Sequence, residues 1–407
     1  MAAGAPARPR RTLDFGDWVA AVVVAGSSRD PDLAPFVGGA HLGESLLIWP
    51  RDEEPRLAFL TAMEREEAAG TGLALLEPAE LGVRELLESR GEGAGVLAGV
   101  LERALERAGV APGLVGVGGH AAAGDLVEAC GALAAGGWSF VSARGALRRL
   151  RKRKTAEELE DARRAAAGAR EAFLQIARVL AGGFVAEGRP LADAEGPVTA
   201  GRLRARAAAV FARHGLDQPE GNIVAAGREA GIPHSRGASE RTIRAGEALV
   251  VDLFPRRRLF ADCTRTFCVG RPPEGLAEAA AEVEGALAEA RGAALPGVAG
   301  QELQQLVCER VRAAGHPTPL SHPGTESGYV HGVGHGVGFE LHELPSFRVQ
   351  TGPAGLLEVA DLVTLEPGLY YPERGWGVRL ENLYEVRQEG VVSLTPLPCD
   401  LDPRRWE

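Results

Sequence analysis

His331-Gly-Val-Gly-His335-Gly-Val-Gly-Phe-Glu-Leu-His342-Glu343 places three of the chain's nine histidines within twelve residues and separates them with glycines. Glycine lets backbone and a bound ligand come close together. The segment is not a zinc-binding HExxH helix, because that motif needs a second histidine four residues beyond His342, where Ser346 stands. Nor is it a dinucleotide fingerprint, which requires a preceding strand, an opening helix and a βαβ unit.

Imidazole and carboxylate together hold divalent metals of intermediate hardness, so carboxylates in apolar surroundings are the next signal. Asp252 ends the run ALVVD, Asp262 lies in FADCTRTF, Glu366 closes LVTLE just before Pro367 and Gly368, and Glu381 sits within VRLEN. A charge in such a run is expensive to bury unless it coordinates an ion or finds a partner. The two aspartates are ten residues apart across an expected hairpin whose turn carries Pro255 and arginines 256 to 258. Strand alternation puts Asp262, Thr264 and Thr266 on one face and Cys263, Phe267 and Val269 on the other. Four carboxylates and one imidazole suit two bridged divalent ions, with manganese, cobalt or zinc favoured over copper. Two ions about 3.5 to 4 Å apart polarise a carbonyl and generate hydroxide near neutral pH, which is hydrolytic chemistry.

Around this constellation the chain reads as two parts. Residues 1–150 alternate strand-like runs (Trp18 to Gly26, Glu44 to Trp49, Leu57 to Thr61, Leu114 to Gly118, Ser139 to Ala143) with helical stretches at Ala62 to Ala69 and Val96 to Ala108, as a compact α/β domain would. A basic run from Arg148 to Lys154 reads as a solvated boundary. Thr155 and Glu158 then form a capping box that opens a long helix ending at Gly182 and Gly183. Residues 151–407 interleave helices near Gly201 to His214, Glu274 to Ala294 and Gln301 to Ala314 with strands at Ala248 to Pro255, Phe260 to Val269, Leu362 to Glu366 and Val378 to Val386. That order implies an α+β domain with helices packed on antiparallel sheet.

Composition narrows the partners. A chain of 407 residues with 45 basic and 55 acidic side chains carries a net charge of -10, which offers no footprint for nucleic acid. No apolar run of about 18 residues suggests a membrane span, and Met1 to Arg11 lacks the apolar stretch of a secretory signal, so a cytoplasmic location is expected. The five cysteines form no CxxC pair and read as reduced, mostly buried thiols.

The motifs resemble those of the pita-bread metallopeptidase family, in its Xaa-Pro aminopeptidase and Xaa-Pro dipeptidase (prolidase) branch. The matching text is Pro233-His234, VDLFP and DCTRT within 251–266, HGVGHGVGFELHE at 331–343, LEPGLY at 365–370 and GVRLEN at 377–382. The resemblance implies a pita-bread catalytic domain behind a smaller creatinase-type N-terminal α/β domain. It implies metal ligands at Asp252, Asp262, His335, Glu366 and Glu381, with Asp262 and Glu381 bridging two ions, manganese first and cobalt or zinc as alternatives. Glu366 is implied to shuttle the proton, His234, His331 and His342 to face the substrate, His331 and His342 to act in catalysis, and Arg379 to orient a ligating carboxylate. The implied substrate is a peptide or dipeptide cut before proline; a homodimer is the expected assembly, because two-fold dimers are the commonest soluble oligomers. In one respect the chain departs from the pattern: the two aspartates are at least one residue closer than is usual in the family. A metal-free creatinase-like hydrolase and a catalytically silent binding module are the alternatives, and the intact ligand set counts against both.

Overall fold

The computed structural model describes residues 12–16, 19–184, 186–348 and 353–406. Met1 to Arg11 and Trp18, where a missing signal and the start of the first strand were expected, lie outside them. The chain divides into two compact units, Met1–Arg151 and Lys152–Glu407.

The first unit is built on a six-stranded sheet of β1 (Ala21–Gly26), β2 (Ser45–Pro50), β3 (Arg56–Phe59), β4 (Ala74–Leu76), β5 (Leu114–Gly118) and β6 (Ser139–Ser142), in the order β4-β3-β2-β1-β5-β6. β1 is central: Val23 pairs with Ile48 of antiparallel β2 and with Val117 of parallel β5. Six consecutive buried residues follow from that position, since side chains on both faces meet covering layers. Helices α1 (Ala34–Val37), α2 (Arg65–Gly70), α3 (Val83–Arg90), α4 (Ala94–Arg107) and α5 (Ala123–Leu133) complete the unit. α4 presents Val96, Val100, Leu101, Ala104 and Leu105 on one helical face, and these pack with Val23 and Ile48. β4 and α5 escape sequence reading because β4 has three residues and α5 is interrupted by Gly124 and Gly131, so neither shows a clear period.

The basic run contains the boundary between the two units but is solvated only in part, at Arg149 and Arg153. It forms α6 (Arg144–Lys152) and the turn after it, and Arg151, Lys152 and Lys154 are buried. Each has an acid: Arg151 Nε lies 3.0 Å from Asp32, Lys152 Nζ 2.9 Å from Asp361, and Lys154 Nζ pairs with Glu343. Long basic stems bury well when their heads are paired, which a count of charges along the sequence does not reveal.

The second unit opens with α7 (Ala156–Gly182). Thr155 Oγ1 accepts the Glu158 N–H at 3.2 Å while Glu158 Oε2 accepts the Thr155 N–H at 2.9 Å. After the short hairpin β7 (Ala192–Asp193) and β8 (Gly196–Pro197) comes α8 (Ala200–Arg213). A three-stranded antiparallel sheet then joins β9 (Asn222–Ala226), β10 (Leu249–Leu253) and β11 (Cys263–Phe267), with β10 in the middle. Helices α9 (Leu276–Ala293) and α10 (Gly300–Ala313) pack against the main core with Val283, Leu287, Leu303 and Val307. A five-stranded sheet, ordered β13-β12-β14-β17-β18, contains β12 (His335–Gly336), β13 (Glu343–Ser346), β14 (Leu362–Leu365), β17 (Asn382–Arg387) and β18 (Gly390–Ser393). β15 (Gly368–Tyr371) and β16 (Trp376–Arg379) form a separate pair.

The single strand expected over Val378 to Val386 is therefore two. The chain leaves β16 at Leu380, where its N–H turns to Pro367 O at 3.3 Å, and the next N–H, of Glu381, donates to Thr264 O at 3.0 Å. Alternating apolar residues on both sides of this break mask it in the sequence, yet it is the break that aims Glu381.

Candidate metal centre

Two strands, carrying Asp252 and His335, and three strand ends, carrying Asp262, Glu366 and Glu381, converge on one buried group. In the antiparallel β10–β11 pair Asp252 faces Thr264, so their side chains share a face, and Asp262 immediately precedes β11. The short turn between the aspartates is held from outside: Arg256 pairs with Asp217 at 2.9 Å, Arg258 with Glu157 at 3.0 Å, and Arg257 with Asp161. Its Phe260 N–H donates to Gly338 O at 2.9 Å, tying the turn to the glycine-rich segment.

That segment needs its glycines. A Cβ on Gly334 would lie 2.1 Å from Thr364 O, and one on Gly336 would lie 2.1 Å from Leu344 O. Neighbouring main chains on both sides thus press His335 into place between them. Its Nδ1 donates to Gly336 O at 3.1 Å, which leaves Nε2 as the bare acceptor. Nε2 sits 3.6 Å from both Asp262 Oδ2 and Glu366 Oε1. Ligand atoms of Asp262, His335 and Glu381 lie within 4.8 Å of one another, a group able to hold a metal ion. Glu366 borders it through His335. Asp252 borders it through a chain of contacts: Arg379 Nη2 donates to Asp252 Oδ2 at 2.7 Å, Arg379 Nε to Thr264 Oγ1 at 3.1 Å, and Thr264 Oγ1 to Glu381 Oε2 at 2.7 Å.

Electrostatics argue for added positive charge. Asp252, Asp262, Glu381 and Arg379 are all buried, Asp252 being the most exposed of them at 8%. Four carboxylates in this space meet one guanidinium, and buried like charges cannot all ionise unaided. Burial, together with Glu381 and Asp252, pushes Asp262 well above the usual carboxylate range, and burial with Glu366 does the same to Glu381. Burial raises Glu366 to about 8, against the opposing pull of Arg379. Burial also lowers His335 to about 3, keeping it neutral and able to ligate. Asp252 Oδ1 and Asp262 Oδ1 are buried oxygens with no hydrogen-bond partner. Unpaired buried carboxylate oxygens beside a neutral imidazole are the donor set that a divalent cation satisfies.

The remaining histidines take different places. His342 is exposed, with its ring centroid 4.2 Å from that of His335. His234 is also exposed and follows Pro233, whose carbonyl accepts from Arg379 at 3.3 Å. His331 has both ring nitrogens engaged, Nδ1 with Gly332 O at 2.7 Å and Nε2 with the Tyr370 hydroxyl at 2.8 Å. Burial lowers it to about 4, so it is neutral, and Tyr370 donates to it while accepting from Arg379 Nη1 at 3.0 Å. Tyr370 is thus a polar member of the site that sequence reading passed over, whereas Thr264 stands on the face that strand alternation assigned to it. The available signal was period two: Glu366, Gly368 and Tyr370 alternate along LEPGLY, as do Asp262 and Thr264.

Comparison with known proteins identifies the family and the fold. Metallopeptidase family M24 matches residues 157–388. The Xaa-Pro dipeptidase of Pyrococcus furiosus is 32% identical over 190 residues, 46% of this chain and 51% of that protein, so the chain spans about half the length of this curated relative. Among solved structures, X-Pro aminopeptidase from Thermotoga maritima superposes with a TM-score of 0.73 at 20% identity, covering 94% of this chain and 97% of that one. Prolidase from Pyrococcus horikoshii gives 0.72 at 21% identity, covering 94% and 95%. Those structures share the α+β pita-bread fold and the smaller N-terminal domain with this one. No helix among the described residues is long and apolar enough to cross a membrane. From its matched residues and its fold, the chain belongs to metallopeptidase family M24.

Proposed function

We propose that this protein is a metal-dependent exopeptidase that cleaves the bond before proline, at the N-terminus of peptides or in Xaa-Pro dipeptides. The observation that carries this reading is the convergence of Asp262, His335 and Glu381, bordered by Glu366 and Asp252, with two buried carboxylate oxygens lacking partners. All five ligands, Asp252, Asp262, His335, Glu366 and Glu381, belong to this proposal, as do two ions, manganese as the native metal, homodimeric assembly, a cytoplasmic location and the division into domains 1–150 and 151–407. When bound, divalent cations would supply Lewis-acid polarisation of the scissile carbonyl and lower the pKa of water.

The chain's own groups do the rest. Glu366 lies at the edge of the acidic group and would carry a proton from the attacking water to the departing nitrogen. His342, exposed beside His335, would donate a hydrogen bond to the oxygen on which negative charge develops. Arg379 fixes Asp252 through its charge-assisted hydrogen bond and holds Tyr370 toward His331, which keeps that side of the acidic group in one arrangement. Proline nitrogen in a peptide bond carries no N–H, so recognition would rest on the carbonyl and the shape of the ring.

The test is hydrolysis of Xaa-Pro dipeptides and of longer Xaa-Pro peptides by chelated protein resupplied with manganese, cobalt or zinc. Metal-restored cleavage confined to bonds before proline is the expected result, and the preferred length separates dipeptidase from aminopeptidase. Metal-restored cleavage of other N-terminal bonds would sink the proline specificity. His342→Ala is expected to lower kcat by roughly 100-fold, the scale of one lost oxyanion donor, while bound metal measured by plasma emission stays near wild type. Equal losses of both would make His342 a ligand instead.

A further inference from the structure

β11 turns Asp262's neighbour Thr264 toward the acids and Arg265 toward the opposite face. Arg265 is 1% exposed, and among the described residues it has no carboxylate partner. A guanidinium offers five N–H donors. Here each meets an oxygen: Nε donates to Pro398 O at 2.8 Å, Nη1 to Thr264 O at 2.8 Å and Glu381 O at 2.6 Å, and Nη2 to Asn382 Oδ1 at 2.7 Å and Leu397 O at 3.0 Å. Four of these acceptors are main-chain carbonyls, so the charge is solvated by backbone and left without a local counter-ion. Burying an unneutralised cation is expensive, and an apolar side chain would fill the space more cheaply.

What the guanidinium grips is the break between β16 and β17. Glu381 donates its N–H to Thr264 O at 3.0 Å, and its carbonyl accepts from Arg265 and from Cys263 Sγ at 3.2 Å. Both backbone groups of Glu381 are therefore tied to β11, and Arg265 supplies the strongest of those ties. Its other arm reaches Leu397 and Pro398, which brings the C-terminal segment into the same clamp.

We propose that Arg265 is a positioning residue that sets the Glu381 carboxylate by holding its main chain from the far side of the strand, with the 397–398 segment as the anchor. This deepens the proposed function and rests on Glu381 being a metal ligand. Lysine could not replace it, since one ammonium has three donors and no planar fork to span acceptors on three segments.

The experiment titrates chelated full-length protein with cobalt(II), followed by visible absorption, alongside the melting temperature of the metal-free form. Arg265→Lys is expected to weaken cobalt binding by roughly 10- to 100-fold, the range for residues that orient ligands, and to alter the absorption band while still melting cooperatively. Asn382→Ala keeps the guanidinium and removes one of its five acceptors, so it should show a smaller loss in the same direction; if the lysine variant fails to fold, this second variant decides. Wild-type cobalt affinity and spectrum in the folded variants, with only the melting temperature lowered, would overturn the proposal. A wild-type protein that binds no cobalt would overturn the metal reading itself, and this one with it.

Discussion

Asp262→Ala and Glu381→Ala are each expected to reduce turnover of an Xaa-Pro substrate by roughly a thousandfold or more. Both side chains belong to the three-residue group whose ligand atoms lie within 4.8 Å, so losing either should release at least one ion. Cations at such a centre contribute several kcal/mol of transition-state charge stabilisation, and about 4 kcal/mol already corresponds to roughly 10³ in rate. The fold should survive. Asp262 sits among Glu381, Asp252 and Glu366, all of which raise the free energy of its charged form. Removing one buried acid from that set relieves repulsion, so metal-free Asp262→Asn should melt at or above the temperature of the metal-free wild type. Glu381 differs, because it also accepts from Thr264 Oγ1 at 2.7 Å, and its alanine variant should lose a little stability with its activity. Unchanged kcat in either alanine variant would refute the assignment of the centre.

How far the sequence foretells this centre depends on whether the information is local. Strand alternation placed Asp262 and Thr264 on one face, and the antiparallel register of Asp252 with Thr264 agrees with it. The capping box at Thr155 and the stop at Gly182 were equally legible, since both are settled within one helical turn. Long-range relations were not. Nothing in VRLEN announces that the chain changes sheets at Glu381, because the deciding bond is to Thr264 O, more than a hundred residues away. The engagement of His331 with Tyr370, and the burial of Lys152 and Lys154 against Asp361 and Glu343, likewise depend on partners that only the folded chain brings near. Arg265 carries the same lesson: it was read simply as part of FADCTRTF, and its acceptors come from three separate stretches.

Metal removal should make stability fall as pH rises, the reverse of what paired carboxylates usually do. In the ion-free site burial lifts Glu366 from 4.5 to about 8, and Asp262 and Glu381 are lifted as well. Between those pH values the folded state holds protons that the unfolded chain has released, and stability then declines with pH. The contribution is whole below about pH 4.5 and is lost as pH climbs through about 8. His331 and His335 act oppositely. Burial lowers them to about 4 and about 3, so their contribution is whole above about pH 6.5 and fades as pH falls. The chelated protein should therefore be most stable between roughly pH 4.5 and 6.5 and should melt lower at pH 8 than at pH 5.5. Added manganese replaces those protons as the source of positive charge, so it should release protons on binding and stabilise far more at pH 8. At about a thousandfold excess over its dissociation constant a ligand adds roughly 4 kcal/mol, worth roughly 8 to 16 °C in a domain of this size. Calorimetric scans at the two pH values, with chelator and with manganese, check the sign directly. A chelated protein that melts higher at pH 8 than at pH 5.5 would mean that these carboxylates are ionised in the fold without a cation, and the acids would then be paired by something other than metal.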